Sequence, residues 1–249
     1  LPDASKLSVA VVGARNCTPY GRDMARMFSY RLAAAGVFVI SGMALGIDGW
    51  GHQGALEAGG ETYAVLGSGV MRCYPSCHQN LYESIVRHGG VISEFPVYAR
   101  AKPVFFPMRN RIISGLSDGI LVVEAREKSG SLITADAALE QGKDVFVIPG
   151  RIGDELSVGC NRLIRMGAVP VLTPDDILDY YGVKTSDGSR NVNETEQKIL
   201  AFLGGKTMHM DEISAGLSLP MTQLLKCMIV LQKKGYVIEV GRNFFMKKI

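Results

Sequence analysis

The chain has 249 residues, of which 47% are hydrophobic and 20% charged, and its formal net charge is +3 at pH 7. This composition excludes a disordered chain, and no apolar run reaches the ~18 residues of a membrane-spanning helix, so no membrane partner is expected. The five cysteines are scattered through a chain too large to need disulfides, which favours reduced thiols and a cytoplasmic location. Because the sequence starts at Leu1 and not at methionine, we expect a piece of a longer protein.

Residues 1–182 form the first predicted domain, in which short apolar strands alternate with helical segments. This alternation is typical of βαβ crossovers, and strands that are apolar throughout are covered on both faces. The expected fold class is therefore α/β, with a doubly wound, mostly parallel sheet. The predicted strands are residues 9–12, 37–40, 63–66, 91–95, 120–124, 145–148 and 169–172. The predicted helices are residues 20–35, 48–58, 79–87, 109–116, 132–141 and 160–165.

A polar segment without periodicity, residues 183–193, predicts a linker to a second domain at residues 194–249. The second domain shows helical patterns at residues 194–203, 209–215 and 220–234, followed by a hairpin of residues 236–240 and 243–246. Three helices and a hairpin in this order predict a winged helix-turn-helix. Residues 183–249 carry 10 Lys or Arg against 6 Asp or Glu, so this part is the more basic one.

Two enzyme motifs occur in the first domain without the context that their chemistry needs. Residues 49–54 match a dinucleotide fingerprint, but the predicted strand ends about eight residues earlier and no acid follows at the usual distance. Residues 115–119 match a nucleophile elbow, but they follow a helix and precede a strand, which is the reverse order. There is no Walker A motif, and Cys73, Cys77 and His78 lack the second pair of ligands of a zinc site. We therefore expect no catalytic residue, no metal and no cofactor.

Three glycine-containing turns, residues 13–15, 41–48 and 129–131, follow the carboxyl ends of predicted strands. In a parallel sheet these ends meet at one edge, where exposed N–H groups and helix N-termini attract phosphate. Arg15 adds a forked cationic donor. Asp48, at the end of the second turn, is expected to cap the next helix. Together the turns predict an anion site.

Residues 98–117 form a cationic stripe that the small net charge conceals. Phe105 and Phe106 lie between its cations, and we expect one of the two rings to belong to the core. Aromatic side chains offer stacking faces to unpaired bases, while Arg and Lys follow the backbone. The residues alone therefore predict a phosphate-rich ligand, nucleic acid. The cations of the stripe, which holds no acidic residue, are Arg100, Lys102, Arg109 and Arg111.

Four segments resemble the signature blocks of the DNA-processing protein A (DprA/Smf) family: VVGARNCTPYG at residues 11–21, SGMALGID at 41–48, FPMRNRIISGLS at 106–117 and KSGSLITA at 128–135. Further similar segments follow in collinear order, so the resemblance covers about residues 8–182. The winged helix also resembles the family's, although that type of domain is common.

The resemblance implies an extended Rossmann-like domain that binds single-stranded DNA, forms a homodimer and has no catalytic activity. It also implies a role in natural transformation, in which the protein protects incoming DNA and loads a RecA-type recombinase. Carried over by position, the DNA-binding residues are Arg15, Ser41, Gly42, Lys102, Phe106, Arg109, Asn110, Arg111, Lys128, Ser129 and Gly130.

Two alternatives of another class stay open. The same superfamily includes enzymes that cleave a base from a nucleotide; these carry a PGGxGTxxE block, and residues 128–132 of this chain lack its glutamate. The second alternative is a sensor that binds a mononucleotide at the same edge of the sheet.

Overall fold

The computed structural model describes residues 1–183, 193–204, 206–233 and 236–247. The chain divides into two compact units, Leu1–Lys184 and Thr185–Ile249. The predicted linker, residues 183–193, lies outside the described residues except for its two ends.

The first unit contains a seven-stranded sheet in the order β4-β3-β2-β1-β5-β6-β7, and every neighbouring pair is parallel. The doubly wound parallel sheet predicted from the strand pattern is confirmed. The strands are β1 (Ser8–Val12), β2 (Phe38–Ser41), β3 (Thr62–Val65), β4 (Gly89–Ile92), β5 (Gly119–Val122), β6 (Asp144–Val147) and β7 (Val169–Pro170).

Helices cover both faces of this sheet, as apolar strands require. Along β1, Val9 and Val11 pack into a core with α1 and α2, whereas Ala10 and Val12 pack into a second core with α4 and α5 on the other face. The helices of the first unit are α1 (Pro19–Ala34), α2 (Ile47–Glu57), α3 (Gln79–Arg87), α4 (Phe105–Gly115), α5 (Gly130–Glu140), α6 (Val158–Arg165) and α7 (Pro174–Tyr180).

Two helices differ from the sequence-based expectation by more than two residues. Helix α4 begins at Phe105, four residues before the predicted start, because Pro107 lies in the first turn, where its missing N–H costs nothing. Helix α7 was not predicted, although Thr173 and Asp176 form a capping box at its start.

The described residues of the second unit form α8 (Glu194–Leu203), β8 (Met208–His209), α9 (Met210–Leu217), α10 (Met221–Lys233), β9 (Val237–Gly241) and β10 (Phe244–Lys247). These helices and strands enclose a separate hydrophobic core that includes Ile199, Ile213, Leu224 and Phe245. The elements follow the order expected of a winged helix, and that interpretation stays a prediction.

Among the described residues, no single helix is long and apolar enough to cross a membrane. Helices Met210–Leu217 and Met221–Gln232 reach the required length and composition only when they are joined across a bend of 115°.

Candidate nucleic-acid interface

A cleft of about 500 Å³ opens at the carboxyl ends of β1 and β5. The strand order reverses between these two neighbours, because β2 to β4 lie on one side of β1 and β5 to β7 on the other. Ligands of doubly wound sheets bind at such a switch point. Of the predicted site residues, the cleft brings together Arg15, Phe106, Arg109, Asn110, Lys128, Ser129 and Gly130.

The first turn, which carries Arg15, is held in place by Glu124 at the end of β5. The Ala14 N–H donates to the Glu124 carbonyl at 2.8 Å. The Glu124 carboxylate accepts from the Thr18 N–H at 2.9 Å and from the Thr18 hydroxyl at 2.5 Å. The same hydroxyl accepts from the Gly21 N–H at 3.0 Å and so caps α1. Arg15 therefore extends from a turn whose two ends are fixed by one buried glutamate.

The second turn lies directly against the first. Gly46 has a φ of +75°, and a Cβ atom at this position would lie 2.3 Å from the Ala14 carbonyl oxygen. Only glycine fits both the backbone conformation and this close approach. The next residue, Ile47, donates its N–H to the Ala14 carbonyl at 3.2 Å.

Arg109 is buried at the base of this arrangement, with only 3% of its surface exposed. Its Nη1 donates to the Gly42 carbonyl at 2.8 Å and also to the Val65 carbonyl. Burial lowers the pKa of Arg109 to about 10, while the nearby Asp48 carboxylate counteracts part of this shift. The guanidinium therefore stays charged at neutral pH and ties α4 to the ends of β2 and β3.

Asp48 does not cap α2, so that expectation was wrong. Gly46 is the N-cap residue, and the Asp48 carboxylate instead accepts from the Gly42 N–H at 3.1 Å. Burial raises the pKa of Asp48, and the charge of Arg109 opposes the rise. The buried Asp48 carboxylate thus stabilises the conformation of the second turn.

Ser41 and Gly42 were predicted to contact DNA, but their polar groups are already bonded inside the fold. The buried Ser41 hydroxyl donates to the Val11 carbonyl at 2.6 Å. Both backbone groups of Gly42 are bonded, the N–H to Asp48 and the carbonyl to Arg109. These contacts indicate that Ser41 and Gly42 shape the cleft. They give no support to a direct contact between either residue and DNA.

The third turn places the N-terminus of α5 at the cleft. The Ser129 side chain caps the helix by accepting from the Ser131 N–H at 3.4 Å. Asn110 Nδ2 donates to the Gly130 carbonyl at 3.1 Å, while Lys128 is exposed beside the helix end. Within the described residues, the N–H of Gly130 donates to no protein acceptor. A helix N-terminus with a neighbouring lysine attracts phosphate.

Aromatic rings also line the cleft. The Arg15 guanidinium lies over the Phe106 ring, 5.1 Å from its centroid, and the Tyr74 ring centroid is 5.4 Å from that of Phe106. Tyr74 was not predicted as a site residue, and neither was Arg126, which also lines the cleft. In the sequence, Tyr74 is marked only by its place beside Pro75, in one of the further segments that resemble the DprA/Smf family.

Lys102 and Arg111 lie outside the set of cleft-lining residues. The Lys102 ammonium is 5.5 Å from the centroid of the Phe105 ring, which itself stacks on Phe95. Arg111 forms an ion pair with Glu94 on the surface. No group of three or more His, Cys, Asp or Glu side chains in the described part of the chain could hold a metal ion.

The family model of DNA recombination-mediator protein A matches residues 1–182. Protein Smf of Escherichia coli (strain K12) is 38% identical, over 95% of this chain and 67% of that protein. The X-ray structure of DNA processing protein A from Streptococcus pneumoniae has a TM-score of 0.66 and 40% identity, over 70% of this chain and 62% of that one. DNA processing protein A from Helicobacter pylori, which binds single-stranded DNA, has a TM-score of 0.66 and 28% identity, over 72% and 83% of the two chains.

The chain spans between 60% and 67% of the length of the first curated relatives that it matches. The matched region contains the whole parallel sheet and every residue that lines the cleft. The chain therefore belongs to the DNA recombination-mediator protein A family, whose members include proteins named DprA and Smf.

Proposed function

We propose that the cleft binds single-stranded DNA. The observation that carries this proposal is the meeting of two kinds of group in one cleft. Arg15 and Lys128 supply exposed cations beside the N-terminus of α5, and Phe106 and Tyr74 supply aromatic faces. Cations that follow phosphates and rings that stack on bases are the two components of sequence-tolerant strand binding.

The contact set that we propose is smaller than the one carried over from the family. Arg15, Phe106, Lys128, Ser129 and Gly130 lie at the cleft, where they can meet a strand. Ser41, Gly42, Arg109 and the buried Asn110, whose amide is bonded to the Gly130 carbonyl, shape the cleft from inside the fold. Lys102 and Arg111 extend the cationic surface beyond it.

The chain acts, on this proposal, as a non-catalytic homodimer that protects incoming strands and loads a RecA-type recombinase during natural transformation. Membership of a family of recombination mediators supports this role. The composition of the cleft supports the absence of catalysis. In residues 1–183, Asp48 is the one carboxylate that lines the cleft, and it is buried and bonded to the Gly42 N–H.

The experiment titrates the chain with oligothymidylates of increasing length, with a blunt duplex and with nucleoside monophosphates near physiological salt. We expect affinity to rise with strand length, because each added phosphate contact releases counterions. We expect weak binding of the duplex and of the monophosphates. Equal affinity for duplex and single strand would contradict the proposal, and release of a base from a monophosphate would favour the nucleotide-cleaving alternative.

A further inference from the structure

Tyr74 lies at the cleft with nearly half of its surface exposed, at 48%. Its ring is tilted by 40° to that of Phe106, with 5.4 Å between the centroids. In this arrangement Tyr74 covers only part of Phe106 and keeps much of its own ring free.

The loop that carries Tyr74 is fixed at several points. The Ser68 hydroxyl donates to the Arg72 carbonyl at 2.8 Å, and the Met71 N–H donates to the Val97 carbonyl at 3.0 Å. Beyond the tyrosine, a ring nitrogen of His78 lies 3.1 Å from the Met43 carbonyl oxygen. A ring on such a loop is held in position before a ligand arrives, which lowers the entropic cost of contact.

The start of the same loop packs against the ring of Phe106. A Cβ atom on Gly67 would lie 2.7 Å from a carbon of the Phe106 ring. Because glycine lets the ring pack against the loop backbone, the position of Phe106 and the position of Tyr74 are set by one segment. Arg15 lies over the Phe106 ring, so a cation borders the aromatic pair.

We propose that Tyr74 is a base-contacting residue of the cleft, which extends the stacking surface of Phe106 for an unpaired base. The proposal rests on the proposed single-stranded DNA binding and adds a residue and its mode of contact. The tyrosine ring contributes a π-face and no cationic group, so its contribution depends on the base and not on the phosphate.

The test compares two strands of equal length, an oligothymidylate and an oligonucleotide whose residues are all abasic. Both present the same phosphates, and only the first presents bases. Tyr74→Ala is expected to weaken binding of the oligothymidylate by about tenfold, within the range measured for base–aromatic stacking. The same substitution leaves binding of the abasic strand unchanged, and the salt dependence of binding stays that of the parent chain.

Three variants complete the design. Tyr74→Phe keeps the ring and should bind like the parent. Tyr30→Ala is the matched control, because Tyr30 is equally exposed, at 47%, on helix α1 away from the cleft. Arg15→Ala should weaken binding of both strands, because it removes a contact to phosphate. If Tyr74→Ala fails to fold, Tyr74→Leu fills the space without a π-face and decides the question in the same way.

Equal losses on the two strands, or no loss on either, would overturn the assignment of Tyr74 and leave the proposed function intact. A parent chain that binds neither strand would overturn the proposed function and this inference with it.

Discussion

Arg15 and Arg109 line the same cleft, yet their guanidinium groups have different surroundings. Arg15 is exposed and lies over the Phe106 ring. Arg109 is buried and donates to two backbone carbonyls. An exposed cation is available to a phosphate, whereas a buried one bonded to the backbone stabilises the fold. Replacing Arg15 should therefore weaken DNA binding, whereas replacing Arg109 should lower the stability of the fold.

Arg15→Ala should weaken binding of all single-stranded sequences to a similar extent. It should also lower the slope of log affinity against log salt by about one unit, because one phosphate contact is lost. Fluorescence anisotropy at several salt concentrations measures both effects. Arg87→Ala, which removes an exposed arginine paired with Glu83 on α3, is the control and should change neither. An unchanged slope with full affinity would remove Arg15 from the site.

Arg109→Ala should lower the free energy of unfolding by about 3 kcal/mol, because it leaves the Gly42 and Val65 carbonyls without their buried donor and removes the charge that offsets the buried Asp48 carboxylate. Urea unfolding of the variant measures the loss. Arg111→Ala removes the neighbouring surface ion pair with Glu94 and should cost at most about 1 kcal/mol. Equal stability of the two variants would show that the buried contacts of Arg109 contribute little.

His52 should make the stability of the first unit depend on pH. Burial lowers its pKa to about 3, while its Nδ1 lies 2.7 Å from the Thr62 hydroxyl. In the unfolded chain, this histidine has a pKa of about 6.5. It therefore binds a proton at pH values between about 6.5 and about 3, where the folded chain leaves it neutral. Above about pH 6.5, His52 is neutral in both states and does not reduce stability. Below it, the free energy of unfolding declines by about 1.4 kcal/mol per pH unit as the pH falls towards 3.

The measurement is the free energy of unfolding at pH 7.5, 6 and 5, chosen to bracket about pH 6.5. His52→Gln should flatten this profile, whereas His88→Gln, which replaces an exposed histidine, should leave it steep. Parallel profiles for the parent and His52→Gln would contradict the buried neutral state of His52.

At the scale of elements, Glu124 joins the start of α1 to the end of β5, because its carboxylate accepts both hydrogen bonds from Thr18. Glu124→Ala removes the acceptor of both Thr18 contacts and should let the Arg15 turn move. We expect weaker DNA binding, with Glu124→Gln in between, because the amide oxygen still accepts one hydrogen bond.

If Glu124 acts through Arg15, its loss should matter little once Arg15 is gone. Affinities of the Arg15→Ala, Glu124→Ala and double variants test this coupling, and the double variant should bind no worse than Arg15→Ala alone. Fully additive losses would show that Glu124 contributes independently of the turn.

The secondary structure was largely predictable from the sequence, because each strand of a covered parallel sheet is a local apolar run. Helix α7 was not predicted, because a segment of 7 residues is too short to show a helical period of apolar residues. Its start is nevertheless marked by Pro174 and by the capping box of Thr173 and Asp176. The two-residue strand β8 has no pattern of its own and exists only because it pairs with β10.

At the scale of the whole molecule, the two units have separate cores. We expect residues 1–183 alone to bind an oligothymidylate as tightly as the full chain does, and residues 193–249 to fold independently. The exposed residues of Met221–Leu225, at the start of α10, are Met221, Thr222, Gln223 and Leu225, and of these four only Gln223 carries a group of the kind that reads a major groove. Tight binding of a duplex by the isolated second unit, measured by anisotropy near physiological salt, would contradict this view of α10.

The meeting of the three turns at one edge was predictable, because parallel strands place their carboxyl ends together. The contacts that organise the cleft were not. Thr18 and Glu124 are 106 residues apart in sequence, and Gly42 and Arg109 are 67 apart. No local pattern indicates which buried acid will hold a turn, or that the arginine of a cationic segment will face inward.

The central position of β1 has a consequence for synthesis of the protein. Strand β1 pairs with β2 on one side and with β5 on the other, and the Ser8 N–H bonds to the carboxylate of Asp118, 110 residues later. At ~5–20 residues per second, the ribosome needs roughly 5–20 s to make the chain between them. During that interval β1 has an unpaired apolar edge, which can pair with other chains. A nascent chain that stalls before β5 is therefore exposed to aggregation, and a chaperone that covers β1 would protect the half-finished sheet.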